Sequence, residues 1–331
     1  ATAREKVQRY FGHIPAGPAI TRTESWVAAR GEPTREVMYD QVAQARLYRA
    51  WNTPQDGTTD SDLLSLAGLV LGGGKTSRLY ERLVYRERLA DTVNAGQSGL
   101  EIAGLFMVTA DVKQGVETAR VEAAIEDEIA RFVADGPTSE ELERARMTMR
   151  SGFIKGLERI GGFGGKADVL AACEVYEGDP GCYQRSLDLF ARATPEQVRA
   201  AAARWLMRGD HTLEVRPYPS HANAPASAVD RSLGVPATTE FPAVAFPALQ
   251  RFELANGLPV IIAERPGAPV ARVSLLFDAG YVADTGRKLG TSSFTMSMLD
   301  EGTRKRDALA IADRAESLGA DLAAGSSLDS S

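Results

Sequence analysis

Between Pro217 and Pro247 the chain carries six prolines scattered among Ala and Ser, and that stretch more than any other limits how the polypeptide can fold. Each proline removes a backbone donor, and the stretch has no apolar periodicity, so it reads as an extended linker rather than helix or sheet. It divides the chain into a unit at 1–216, a connector at 217–247 and a further unit at 248–331. Two domains also suit 331 residues, at about 100–200 residues each. A hydrophobic content of 44% and a charged content of 25% are those of a globular protein. No run approaches the ~18 apolar residues of a membrane span, and no signal peptide is visible. A net charge of -6 argues against a nucleic-acid or anionic-membrane surface. Both ends read as interrupted: residues 1–18 as mid-helix running into a loop, residues 318–331 as a strand just begun.

The first unit mixes strands and helices. Residues 37–53, rich in Val, Leu, Tyr and Trp and running up to Pro54, suggest one strand. Leu63, Leu64, Leu66, Ala67 and Val70 recur at helical spacing, and Gly72–Gly74 stop that helix. A second helix is predicted over Ser77–Leu89, then a hairpin over 92–112 turning at Ser98-Gly99. Val121, Ile125, Ile129 and Val133 form one apolar stripe of a helix ending near Gly136. Thr138 and Glu141 form a capping box, each side chain satisfying an orphan N–H, and open a long helical stretch. Gly161–Gly165 should break it, Thr194-Pro195 starts another helix, and His211–Arg216 reads as a closing strand. Trp51 and Tyr80 are expected core aromatics. With neighbouring strands joined as hairpins, the pattern is α+β: a mixed, largely antiparallel sheet packed by helices.

Few residues suggest chemistry. Cys173 and Cys182 either close a disulfide loop, which favours an oxidising compartment, or stay unpaired; spacing alone fixes no connectivity. His13, His211 and His221 are too dispersed to form a recognisable ligand set. Gly74-Lys75-Thr76 looks like the end of a phosphate loop, but the required glycine falls on Leu69 and a helix precedes it where a strand is needed. Gly161–Gly165 is either a simple helix break or a flexible turn lining a substrate chamber.

In the second unit, Asn256-Gly257 marks a hairpin, and Val273, Leu275 and Phe277 alternate as in a strand. A helix of small residues follows at 290–303, with Phe294, Met298 and Leu299 as an apolar face buried against a sheet; Asp307–Leu318 is a further helix. The flanks Gly290, Phe294, Met298, Leu299, Gly302 and Thr303 resemble those around the inverted zinc motif H-x-x-E-H of the pitrilysin/insulinase family. Leu71–Leu83 likewise resembles that family's Gly-Gly-Gly…Ser-Arg-Leu-Tyr signature, Gly104–Val112 the strand that follows it, and residues 6–18 the segment after its first strand. The resemblance implies processing-peptidase-like domains: 1–216 is similar to an inactive-type C-terminal domain, and 248–331 to the start of an N-terminal domain.

The chemistry of the family is missing at every matching position. The motif histidines fall on Ser293 and Ser297 and the glutamate on Met296, none of which can hold zinc or activate water. The family's Arg/Tyr pair, which binds substrate carbonyls and the oxyanion, falls on Val84 and Asp91. No catalytic, cofactor-binding or metal-ligating residue is therefore assigned here.

By resemblance, the chain is expected to be an internal, inactive piece of a tandem zinc endopeptidase. Zinc would sit in an earlier half of the parent, and this piece would wall a chamber around peptide or unfolded polypeptide. Its partners would be the rest of the parent or a homologous subunit. The resemblance implies a periplasmic location, with a cytoplasmic one as the alternative. A non-enzymatic scaffold, like the core subunits of respiratory complexes, or a peptide-binding module offering a sheet edge are the competing expectations.

Overall fold

The computed structural model describes residues 2–15, 17–18, 21, 23–218, 248–264 and 269–331. The linker reading at 217–247 and His221 therefore lie almost wholly outside the described residues. An N-terminal helix α1 (Ala3–Phe11) is exposed along its length. Beyond it, β1 (Thr34–Asp40) and β2 (Arg46–Thr53) replace the single strand expected over 37–53. The two do not pair with each other. The last strand of the unit, β5 (His211–Pro217), inserts between them, parallel to β1 and antiparallel to β2. β3 (Ala90–Gly99) and β4 (Gly104–Val112) complete a five-stranded sheet in the order β1-β5-β2-β4-β3. The β3–β4 turn lies at 100–103, since Ser98 and Gly99 still pair in the ladder. The sheet is thus mostly antiparallel with one parallel edge; β3–β4 is the expected hairpin, and the region expected as one strand is two that do not pair.

Alternation along β2 and β4 sets the faces. Leu47, Trp51, Phe106, Val108 and Ala110 point into the core, while Leu105 and Met107 stay 41% and 39% exposed on the other face. The core face is covered by α2 (Thr59–Gly72), α3 (Thr118–Asp135) and α7 (Pro195–Leu206). α2 buries residues on nearly all sides because α4 (Ser139–Gly156) and α6 (Tyr183–Arg192) pack over its back. Gly72 ends this helix and also permits close approach: a Cβ there would lie 2.1 Å from the Ala95 backbone nitrogen on β3. The stripe of α3 is buried at Val121, Ile125 and Ile129, with Phe132 rather than Val133 filling the last position. The predicted capping box of Thr138 with Glu141 is present, and the helix expected to start at Thr194-Pro195 carries a second one, Thr194 with Gln197.

The helix expected at 77–89 is a π-helix, Tyr80–Arg86, in which the Glu87 N–H reaches back five residues to the Arg82 carbonyl. Gly161–Gly165 separates α4 from α5 (Lys166–Glu177). Cys173 and Cys182 are joined as a disulfide, with Cα atoms 5.4 Å apart.

In the second unit, β6 (Leu249–Glu253) and β7 (Pro259–Ala263) form the expected hairpin, with Gly257 at φ +84° in its turn. Three expectations fail. No strand forms at 271–277: Val273, Leu275 and Phe277 are 87%, 67% and 54% exposed. A strand needs a partner ladder, and among the described residues this segment pairs its backbone at Phe277, which exchanges hydrogen bonds with Ser331. The C-terminal strand is likewise absent. The motif helix α8 spans only Thr291–Ser297, and Phe294, Met298 and Leu299 are exposed instead of buried against a sheet. A last helix, α9 (Ala308–Ser317), starts at Asp307, whose carboxylate accepts the Ala310 N–H.

Candidate functional site

The side chains on α8 are set by the turn before it. Asp284, 5% exposed, accepts hydrogen bonds from the Ser292 N–H at 3.2 Å, and the Ser292 hydroxyl lies 2.9 Å from the same carboxylate. Burial pushes this carboxyl up, but Ser292 and the backbone N–H groups at Gly290 and Thr291 outweigh it and hold it below its usual range. The helix N-terminus is therefore neutralised internally. One turn on, Ser297 donates to the Phe294 carbonyl at 2.9 Å. Ser293, Met296 and Ser297 thus offer two hydroxyls and a thioether where zinc requires imidazole and carboxylate, so the residues present do not fit that ion. Among the described residues no group of three or more His, Cys, Asp and Glu side chains is placed to hold a metal.

Val84 lies on the π-helix, partly buried against the core. Asp91 is exposed at the start of β3 and accepts from the Gln44 side chain at 3.0 Å. A carboxylate there repels an oxyanion. His13 is exposed, and His211 lies 2.9 Å from the Thr34 hydroxyl. The structure brings none of these groups together.

The segment Ser77-Arg78-Leu79-Tyr80 is a structural bracket. Arg78 makes two parallel bonds to Glu141, at 2.7 and 2.8 Å, a third to the Gly136 carbonyl at 2.8 Å, and stacks over Phe132 at 5.2 Å. Glu141 is pushed up by burial, but the bonds from Arg78 and Thr138 bring it below its usual range. One carboxylate thereby caps α4 and ties it to the π-helix.

Sequence reasoning missed the seam where the two units meet. Lys75 reaches Asp300 and Glu301, each at 2.9 Å, and Thr76 donates to Glu316. Arg144 lies 3.1 Å from Asp313, and Lys155 lies 2.6 Å from Asp321. Ser151 donates to the Gly319 carbonyl at 2.6 Å; Gly319 has φ +62°, and a Cβ there would meet Ser151 at 2.8 Å. Every donor named comes from the first unit and every acceptor from the second. Lys75 and Thr76, which sequence reading weighed as a phosphate loop, are spent on this contact. Burial lowers the Lys75 pKa, and the two acidic partners more than offset it, leaving the ammonium above its ordinary value. Burial pushes the Glu316 carboxyl up.

Two family models match separate segments of the chain. The profile of the peptidase M16 inactive domain matches residues 1–149, and that of the insulinase family, peptidase family M16, matches residues 259–331. An uncharacterized zinc protease of Mycobacterium leprae is 28% identical over 214 residues, covering 65% of this chain and 44% of the relative. One from Streptomyces coelicolor is 28% identical over 139 residues, covering 42% of this chain and 29% of the relative. The matched region thus spans less than half the length of these curated relatives. Among solved structures, a Helicobacter pylori protease superimposes with a TM-score of 0.57 at 16% identity, covering 66% of this chain and 53% of that one. A peptidase M16 inactive domain from Pseudomonas fluorescens gives 0.54 at 20% identity, covering 68% and 53%. These two likenesses concern the fold.

Proposed function

We propose that this chain, two segments of which match models of the M16 (insulinase) peptidase family, is a non-catalytic segment of a zinc-dependent endopeptidase, serving as part of the wall that encloses a peptide. The observation that carries the reading is the side-chain set at 293, 296 and 297: two hydroxyls and a thioether on α8, in the frame of a zinc-peptidase helix. The order of the two matched segments, an inactive-type domain followed by a second M16 unit, fits a tandem parent in which another unit supplies the metal site. The uncovered face of the five-stranded sheet, with Leu105, Met107 and Met38 exposed, is the surface offered to an extended substrate. The disulfide favours an oxidising compartment, and hence a periplasmic site.

The test uses the chain as it stands, supplied with zinc and a quenched unfolded peptide. No zinc-dependent cleavage is expected, while a labelled peptide should bind and lose affinity in Leu105→Glu and Met107→Glu. Zinc-dependent hydrolysis that co-purifies with the chain overturns the non-catalytic assignment. Peptide binding indifferent to both substitutions overturns the wall assignment.

A further inference from the structure

The geometry points to Asn256 as a covalent modification site, independently of the peptidase reading above: its side-chain amide is lost through a cyclic imide, leaving mainly isoaspartate in the β6–β7 turn. Of the asparagines at 52, 94, 223 and 256, Asn256 alone precedes a glycine. It lies at the exposed tip of the hairpin. There the Leu254 N–H donates to the Leu258 carbonyl at 2.9 Å, and the Gly257 N–H to the Leu254 carbonyl at 2.8 Å.

A further bond sets the reactivity. The Leu258 N–H donates to Asn256 Oδ1 at 3.2 Å. A bond to the N–H two residues on folds the side chain back over the Gly257 peptide, and so brings Cγ towards the Gly257 nitrogen. It also aims a donor at the oxygen on which negative charge develops when that nitrogen adds to Cγ. Approach is unhindered, because Gly257 has no Cβ and the nearest atom to that position is Glu253 Oε1, at 3.8 Å. Asn52 and Asn94 lie inside paired strands and precede residues that carry a Cβ, and the Asn52 amide is held by the Ala28 carbonyl at 3.0 Å.

Hydroxide takes the proton from the Gly257 nitrogen, which releases the Leu254 carbonyl. The nitrogen forms a bond to Asn256 Cγ, and the Cγ–Nδ2 bond breaks. The leaving nitrogen takes protons from water and departs as ammonium. Water then adds to one imide carbonyl and cleaves its bond to the Gly257 nitrogen. Opening at Cγ gives aspartate. Opening at the main-chain carbonyl, the more electrophilic of the two beside the Asn256 nitrogen, gives isoaspartate. The sum is an amide and a water converted to a carboxylate and an ammonium, with no change of oxidation state.

Isoaspartate routes the main chain through the side-chain methylene and lengthens the turn. Hairpin register is fixed by its turn, and Glu253↔Pro259 and Phe252↔Val260 are the pairs next to it. The new carboxylate also joins a turn already bordered by that of Glu253. Every residue of β6 is exposed, and a two-stranded hairpin has little stability to spare.

The test keeps the folded chain at mildly alkaline pH, digests samples over time, and follows the peptide holding Asn256 by mass and with an isoaspartate methyltransferase. That peptide should exchange NH2 for OH, with isoaspartate in excess over aspartate and a rate that rises with pH. Peptides holding Asn52 and Asn94 should stay unchanged. In the aged chain, amides of 249–263 should exchange hydrogen several-fold faster, with those of β2 and β4 unaffected. Gly257→Ala should convert several-fold more slowly. A Cβ at φ +84° strains the turn by itself, so fresh Asn256→Asp serves as a second variant. It adds the charge without lengthening the chain and should keep the hairpin protected. Conversion at Asn256 only after unfolding in urea, equal rates in wild type and Gly257→Ala, or unchanged exchange in 249–263 after conversion each overturn the inference.

Discussion

Replacing Glu214 by Gln should cost stability at neutral pH and progressively less in acid. The Glu214 side chain is fully buried, yet it lies under the edge of the sheet and joins three elements: Arg35 on β1 at 2.6 Å, Thr118 at the start of α3 at 2.6 Å, and Arg216 on β5 at 2.8 and 3.0 Å. Burial pushes the carboxyl up, but the bonds from Arg216, Thr118 and Arg35 outweigh it and hold it at about 2, against an ordinary 4.5. A carboxylate whose folded pKa is depressed contributes stability that is present above the unfolded value and lost as pH falls through the folded one. The window is therefore pH 4.5 down to about 2. At about 1.4 kcal/mol per tenfold change in proton affinity, the depression corresponds to about 3 kcal/mol. Arg35 and Arg216 are 41% and 45% exposed, so water screens the interaction and about 2 kcal/mol is expected. The assay is urea unfolding followed by Trp fluorescence. Trp26, Trp51 and Trp205 all lie in the first unit, so the signal reports on that unit alone. The gap between wild type and Glu214→Gln should be about 2 kcal/mol at pH 7 and roughly half that at pH 3. A gap that stays constant across that range, or no gap at pH 7, refutes the reasoning.

Asp62 behaves oppositely. Burial, with Asp56 and Glu177 nearby, raises it to about 6 despite a hydrogen bond from Ser186, so its contribution is present below 3.8 and lost as pH rises through about 6. Asp62→Asn should therefore stabilise the first unit by about 1 kcal/mol at pH 8 and leave it unchanged at pH 4, read from the same urea curves. Lys75→Met removes two contacts of the seam and should weaken the hold on α9 by about 1 kcal/mol, seen as roughly fivefold faster amide exchange in 308–317 with α3 unaffected. Thr138→Ala should cost about 1 kcal/mol through loss of the cap on α4. Leu64→Ala, at a fully buried position, should cost about 3 kcal/mol in the same unfolding assay.

The parts of this protein legible from its residues alone are those governed by near neighbours. Thr138 and Glu141, or Thr194 and Pro195, are close enough in the chain to set a helix start without outside help, and the four-residue spacing of α3 dictates which stripe is buried. That Ser293, Met296 and Ser297 on α8 are not side chains that zinc takes is a matter of residue chemistry, which no packing alters. What the tertiary structure decided depends on partners far away in sequence. β5 takes its place between β1 and β2 from about 170 residues downstream, Arg78 finds Glu141, and Lys75 finds Asp300 and Glu301 across the seam. Alternation at 273–277 was read as a strand, yet side-chain pattern only selects the faces of a ladder and cannot supply the strand to pair with. Whether Cys173 meets Cys182 was open for the same reason: covalent or hydrogen-bonded, a long-range pair forms where the packed core brings its atoms together.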